Sequence, residues 1–308
     1  MPGVSAHDFR LPEGTALRFE RSAPELAGML PSYAVLDSDL SIVGPVVSWM
    51  LPSWARIWIR LTAGPISISI GNRRYDPVGA AVMYGVTSRA IPVHPQGGVT
   101  VAIDVSPLGW ARFVSAHAEA VRDRVLPLDE MLTPELVRDL TTALHASDHD
   151  QSVKGIVDEV FLRHLPPPNP HEPIVERIID AFASPDVHDL STATEQVAIN
   201  PAALQRMCRR YFGFSPKLLM MRTRFLRVLV GMLTAEEPID HSLVPPGYHN
   251  VPHFLRDANR FLGMTPRRFV AMDIPYLRAG LRARQLVMAT ATPSLDKAVR
   301  CCASEKRR

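Results

Sequence analysis

The sequence predicts an α+β protein, in which a small antiparallel β-barrel with additional helices precedes an all-helical part with two helix-turn-helix motifs. Three observations lead to this expectation. Segments with apolar side chains at every second position lie only in the first half of the chain. A proline-rich stretch follows them, and the second half contains a helical unit that occurs twice.

Three segments with a period of two predict strands in the first half: 56–61, 65–70 and 98–105. Short strands of this kind, separated by glycine and proline, are typical of a small antiparallel barrel or sandwich. Helical signals follow over 108–121 and 134–165. Because the helices of 134–165 are amphipathic, we expect them to offer a surface for a homodimer.

Residues 165–173 contain five prolines and mark the clearest boundary in the chain. Proline fixes φ and lacks a backbone donor, so this stretch cannot continue a helix or a central strand. The prediction is a first domain over 1–165, a linker over 166–171 and a helical domain over 172–284. The remaining residues, 285–308, are expected to form a disordered tail.

The duplicated unit carries the most information, because residues 210–217 recur as 260–267. In each copy a glycine, Gly213 or Gly263, can adopt positive φ and end a helix. A hydroxyl residue two positions later can cap the next helix, and proline follows at its first turn. Each copy therefore predicts a helix, a tight turn and a second helix.

The helix before Gly213 is expected over 201–212, with Asn200 as its N-cap. One face is apolar, through Leu204, Met207, Cys208 and Tyr211. The other face carries small, amide and guanidinium side chains: Ala202, Gln205, Arg206, Arg209 and Arg210. Side chains of these types fit a major groove, read base edges and contact phosphates.

Positive charge is concentrated around the duplicated unit, although the whole chain has a net charge of only +3. Residues 196–235 contain no acid and seven basic side chains: Arg206, Arg209, Arg210, Lys217, Arg222, Arg224 and Arg227. Residues 241–272 add four arginines against one acid, Asp257. A local basic surface of this kind indicates binding to duplex nucleic acid.

Taken together, these residues resemble the AraC/XylS-type transcriptional regulators, whose two helix-turn-helix motifs are joined by a long helix. Residues 204–217 resemble the end of the first motif, 222–233 the joining helix, and 247–266 the second motif. The resemblance covers about 172–272 and implies a DNA-binding transcription regulator that is not an enzyme. It implies double-stranded DNA as a partner, RNA polymerase as a candidate partner, and no cofactor.

The first half resembles the sensor domains that precede such regulators, through residues 82–90, 108–113 and 123–130. This likeness implies a cupin-like barrel in 1–165 that responds to a small molecule or a protein signal. The aromatic residues Trp54, Trp58, Tyr75 and Tyr84 are expected in the core rather than in a pocket wall. With only three cysteines and no apolar run of about 20 residues, we expect a cytoplasmic protein without a membrane segment.

The family geometry places two recognition helices in successive major grooves. In the first groove, Ala202 and Gln205 are candidates for base contacts. Phosphate contacts there are assigned to Arg206, Arg209 and Arg210. For the second groove the candidates are Asn250, His253, Arg256 and Arg260.

The sequence departs from the family pattern at both motifs. Ala198 occupies the position of a usual turn glycine in the first motif, which predicts a strained or altered turn. In the second motif the scaffold helix is expected near 239–244, where Pro245 and Pro246 cut it short. The first motif is therefore the better candidate for reading DNA.

Two alternatives to DNA binding remain open. A cupin-like enzyme needs a cluster of metal ligands, yet residues 33–105 contain a single histidine, His94. His145 and His149 form a lone pair without further ligands. The other alternative is an interaction protein whose helix-turn-helix array has lost DNA binding, which the altered second motif suggests.

Overall fold

A computed structural model describes residues 3–4, 11, 13–39, 47–62, 64, 66–94, 97–149, 151–184, 186–187, 189–235 and 243–289. The expected second scaffold helix lies partly outside this set, at 239–242, and so do residues 290–308 of the predicted tail. In the described part of the tail, the last helix continues to Met288. No helix within the described ranges is both long and apolar enough to cross a bilayer.

The first half contains eleven described strands: β1 (Gly3–Val4), β2 (Thr15–Arg21), β3 (Ser32–Ser38), β4 (Ser48–Met50), β5 (Ala55–Arg60), β6 (Ile68–Ile70), β7 (Arg73–Tyr75), β8 (Ala81–Tyr84), β9 (Ile91–Val93), β10 (Gly98–Val105) and β11 (Val125–Pro127). Seven form one antiparallel sheet in the order β1-β2-β3-β10-β5-β8-β11. The other four form a second sheet in the order β4-β9-β6-β7.

Ten α-helices are described: α1 (Pro107–Phe113), α2 (Pro134–His145), α3 (Ser152–Arg163), α4 (Glu172–Ala183), α5 (Leu190–Val197), α6 (Pro201–Met207), α7 (Pro216–Thr234), α8 (Val251–Leu262), α9 (Pro266–Val270) and α10 (Pro275–Met288). Short 3-10 turns occur at Ala118–Val121 and Leu128–Glu130, and a π-helical turn at Cys208–Phe212. The predicted helix over 108–121 ends at Phe113, and the predicted helical region 134–165 consists of two separate helices.

The two sheets do not confirm a closed, cupin-like barrel, because the larger sheet has β1 and β11 as separate edges among the described strands. Ala55, Ile57 and Ile59 of β5 bury one face of this sheet in the main core. On the opposite face, α10 packs on β2 and also on β4 of the smaller sheet, and Val82 and Tyr84 of β8 pack with residues of the smaller sheet. A sheet with both faces covered by other layers can bury its apolar side chains without closing on itself.

The main hydrophobic core is continuous across the proline-rich linker. It contains Trp110 and Phe161 from the first half together with Phe182 and Phe212 from the second. The linker itself lies against α1, since Asn169 Nδ2 donates to the Ala111 carbonyl over 2.9 Å. The helices of the second half are thus packed directly on the β-sheet half.

Candidate nucleic-acid interface

The first helix-turn-helix motif consists of α5, a turn and α6. Asn200 caps α6 as predicted, since its Oδ1 accepts a hydrogen bond from the Ala203 N–H over 2.8 Å. Ala198 ends α5 in the left-handed region, with φ +57° and ψ +48°. The turn therefore has the conformation that the usual glycine would adopt, at a cost of about 1–2 kcal/mol for an L-residue.

The two faces of α6 are arranged as the sequence predicts. Leu204, Met207, Cys208 and Tyr211 are buried. Ala202, Gln205, Arg206 and Arg209 are exposed on the opposite side. Arg210 is half-buried, with its guanidinium 5.4 Å from the Tyr211 ring centroid, and Arg209 Nε lies 3.8 Å from Glu119 Oε1.

The predicted continuous helix over 201–212 is wrong in its last turn, where Cys208–Phe212 form a π-helical turn. Packing against the first half and the linker explains the change. The Phe212 ring meets Trp54 edge-on at 5.5 Å, and a 2.6 Å hydrogen bond joins the Tyr211 hydroxyl to His171 Nδ1. A π turn holds an extra residue, so it rotates these side chains relative to a regular helix.

Gly213 ends this helix at φ +74° and also permits close packing on the β-sheet half. A Cβ at this position would lie only 2.3 Å from Val86 Cγ2. The glycine is therefore required both by the turn, as predicted, and by the contact between the two halves of the chain.

In the second motif, α8 exposes Arg256 and Arg260, whereas Asn250 and His253 have structural contacts. Asn250 Oδ1 caps the helix by accepting from the His253 N–H over 2.8 Å. His253 is half-buried, and its Nε2 lies 3.1 Å from Arg224 Nη2. Desolvation, together with the charge of Arg224, lowers the pKa of His253.

A polar cluster fixes α8 against α7. Arg224 Nη2 donates to Asp257 Oδ2 over 2.8 Å, and the Tyr248 hydroxyl donates to the same oxygen over 3.0 Å. The Arg224 guanidinium also lies 4.5 Å from the Tyr248 ring centroid. Asp257, the single acid of the second basic stretch, is therefore an internal partner of an arginine.

Three arginines of the first basic stretch do not belong to an outer basic surface. Arg222 is buried between Trp54 and Phe214, with ring centroids 4.4 and 5.3 Å from its guanidinium, and burial lowers its pKa to about 9. Arg227 Nη2 donates to the Ala183 carbonyl at the end of α4, over 2.5 Å. Arg224 belongs to the cluster with Asp257.

The sequence analysis therefore overestimated the exposed basic surface of α7, although the spacing of its residues indicated that Arg222 is buried. Arg222 lies on the same helical stripe as the buried residues Leu219, Leu226 and Leu229. The exposed basic side chains that remain on the two motifs are Arg206, Arg209, Lys217, Arg256, Arg260, Arg267 and Arg268. Both motifs therefore keep a basic outer surface.

Residues 193–272 match the model of a family described as "Helix-turn-helix domain". The matched range runs from within α5 to just beyond α9 and includes both motifs. The fold and the match define this part of the chain as a DNA-binding module of the helix-turn-helix class. This module is of the AraC type, a family of transcription regulators, which confirms the resemblance seen in the sequence.

Solved structures of ToxT from Vibrio cholerae are similar to the chain in general arrangement. An apo variant of ToxT is 9% identical, with a TM-score of 0.41, and the match covers 84% of this chain and 97% of that one. ToxT bound to an unsaturated fatty acid is 10% identical, with a TM-score of 0.40 and coverages of 84% and 94%. These scores are too low to carry the assignment, which rests on the helix-turn-helix match.

No curated protein matches the chain. Within the part of the chain that the structure describes, no three His, Cys, Asp or Glu side chains are grouped to hold a metal ion.

Proposed function

We propose that this protein is a sequence-specific regulator of transcription that inserts α6 and α8 into successive major grooves of DNA. One observation carries the proposal. Helix α6 of the first motif buries one face and exposes Arg206 and Arg209 on another. Helix α8 of the second motif likewise buries one face and exposes Arg256 and Arg260. Successive grooves on one side of a duplex are about 34 Å apart.

In the first groove, Ala202 and Gln205 are proposed to contact bases, while Arg206, Arg209 and Arg210 contact phosphates. An exposed Gln can make two hydrogen bonds with adenine, and Ala can contact a thymine methyl. In the second groove, Asn250 and His253 are already engaged within the protein. Arg256 and Arg260 are therefore proposed to make the main contacts there, with phosphates.

The division into a sensor and dimerisation domain (1–165), a linker (166–171) and a DNA-binding domain (172–284) is part of this proposal. A small molecule is proposed to act on the first domain. Homodimerisation through α2 and α3 and contact with RNA polymerase stay predictions, and sedimentation of the full chain over a range of concentrations tests the first of them.

Selection of bound fragments from random duplex DNA by the full-length protein, at two salt concentrations, tests the proposed function. We expect an enriched sequence with two half-sites about one helical turn apart, and affinity that falls steeply with salt. Gln205→Ala should relax the preference at one position and cost about 1–3 kcal/mol. Recovery of no sequence, with no affinity for DNA in dilute buffer, would favour an interaction protein instead.

A further inference from the structure

Helices α6 and α8 are two copies of one unit, and the structure extends the repeat to their first turns. Asn200 and Asn250 cap these helices in the same way, since each side chain accepts from the N–H three residues later over 2.8 Å. The order of buried, half-buried and exposed residues is the same in 201–212 and 251–262, except at the first and the tenth positions. Each residue on the outer face of α6 therefore has a defined counterpart on α8.

Leu255 is the counterpart of Gln205, the residue proposed to read a base in the first groove. Each is the fifth residue of its helix, and each follows a buried apolar residue, Leu204 or Phe254. The Leu255 side chain is 41% exposed. The second motif thus presents an aliphatic side chain at the position where the first motif presents an amide.

The surroundings of Leu255 fit contact with a duplex. A single exposed leucine is ordinary on a protein surface, so its exposure alone carries no function. Leu255, however, lies in the second turn of α8, and the N-terminal residues of a recognition helix are those that contact base edges. Arg256 and Arg260 add positive charge to the exposed side of the same helix. A polyanion that meets these arginines would therefore cover Leu255 as well.

An aliphatic side chain distinguishes bases by a different interaction from that of an amide. In the major groove, thymine presents a C5 methyl group, whereas the edges of guanine, cytosine and adenine present hydrogen-bond donors and acceptors. Leucine can bury the methyl group and gain apolar contact. Against the amino group of cytosine or adenine, leucine would displace water without replacing its hydrogen bond, which costs free energy.

We propose that Leu255 contacts the C5 methyl group of a thymine, so that the second half-site is read by an apolar contact and the first by the hydrogen bonds of Gln205. The inference rests on the proposed function and deepens it, because it names a base that the second motif requires. The contact is additional to the phosphate contacts proposed for Arg256 and Arg260.

Replacement of thymine by uracil tests this contact, because uracil forms the same base pair and lacks only the methyl group. The probe is the duplex recovered by the full-length protein in the DNA selection, with each thymine replaced in turn. We expect one uracil in the second half-site to weaken binding by about fourfold, the factor for burial of one methyl group. The second half-site is the one whose base preference Gln205→Ala leaves unchanged. Equal affinity for all duplexes substituted there would overturn the proposal.

Two leucine variants assign the methyl effect to a residue. Leu255→Ala should weaken binding to the unsubstituted duplex by about fourfold and should bind the thymine and uracil forms equally. Its salt slope should equal that of the wild type, because no phosphate contact is lost. Leu286→Ala is the matched control, since it shortens a leucine of α10 that is 74% exposed, and it should keep the wild-type response to uracil.

Discrimination against uracil that persists in Leu255→Ala would assign the methyl group to another residue and overturn the proposal. A methyl effect in the first half-site, where Ala202 is proposed to contact thymine, should persist in Leu255→Ala. Unchanged affinity of this variant for an unrelated duplex shows that it is folded.

Failure of this inference and failure of the proposed function give different results. If the selection recovers no sequence, the proposed function fails, and the inference fails with it. If the selection recovers two half-sites but no thymine methyl group acts through Leu255, the proposed function stands and the inference is rejected.

Discussion

Replacement of Arg206 by alanine gives the sharpest test of the DNA-binding surface, because its effect on salt dependence can be calculated. Apart from Arg224 and Arg227, which have internal partners, eight basic side chains at the two motifs are exposed or half-buried: Arg206, Arg209, Arg210, Lys217, Arg256, Arg260, Arg267 and Arg268. Each phosphate contact contributes about −0.9 to the slope of log affinity against log salt. Eight contacts would therefore give a slope of about −7, and fewer contacts a smaller one.

Arg206→Ala should make the slope less steep by about 0.9. Between 50 and 200 mM salt, a difference of this size changes the affinity ratio of wild type to variant by about 3.5-fold. The wild-type advantage is thus largest at low salt. The loss should be similar on all sequences, because phosphate contacts carry no base information.

Fluorescence anisotropy with the selected duplex and with an unrelated duplex, at five salt concentrations, measures both slopes. Arg138→Ala is the matched control, since it removes one positive charge from a side chain that is 67% exposed on α2. The control should leave the slope unchanged. A slope for Arg206→Ala that equals the wild-type slope, or an equal change in the control, would refute the assignment of α6 to a DNA groove.

Four other changes test the internal contacts. Ala198→Gly should raise the free energy of unfolding by about 0.5–1 kcal/mol in chemical denaturation, because relief of the left-handed alanine exceeds the entropy that glycine adds to the unfolded chain. Arg222→Met should keep the salt slope and leave stability within about 1 kcal/mol, since an apolar side chain of similar length avoids burying a charge; a flatter slope would show that Arg222 reaches DNA. Asp257→Asn should lower the free energy of unfolding by about 2 kcal/mol, measured by thermal or chemical denaturation. This loss is smaller than that expected on breaking a fully buried ion pair, because the Arg224 side chain is 28% exposed. The pKa of His253 is lowered, so the folded state favours the neutral ring. The contribution of His253 to the free energy of unfolding is therefore present above pH about 6.5 and declines as the pH falls below that value. His253→Gln should lose less stability than the wild type between pH 7 and 5, and an equal loss in the two proteins would contradict this reading.

The parts of the fold that the sequence predicted well are those decided by local interactions. The caps at Asn200, Ser215 and Thr265 all form, because a side-chain oxygen three residues before a helical N–H needs no distant partner. The turns at Gly213 and Gly263 adopt positive φ for the same local reason. Both helix-turn-helix motifs could therefore be located before the structure was known.

Features that depend on distant contacts were not predictable in the same way. The π turn at Cys208–Phe212 depends on Trp54 and His171, which lie far away in the sequence. The packing of α10 on β2 likewise joins segments that are far apart in the sequence, and no local pattern identifies it. For Arg222, the apolar stripe indicated burial, but basic composition was the more obvious signal.

The contacts between the two halves of the chain differ between the two motifs. Next to the first motif, Arg222 of α7 packs on Trp54, and Gly213 packs on Val86. The second meets the β-sheet half through Trp49 with Phe269, and through the Ala90 N–H, which donates to the Phe261 carbonyl over 2.7 Å. A rearrangement of the β-sheet half would therefore reach the first motif through a buried guanidinium and a glycine contact, and the second through an aromatic contact and a backbone hydrogen bond.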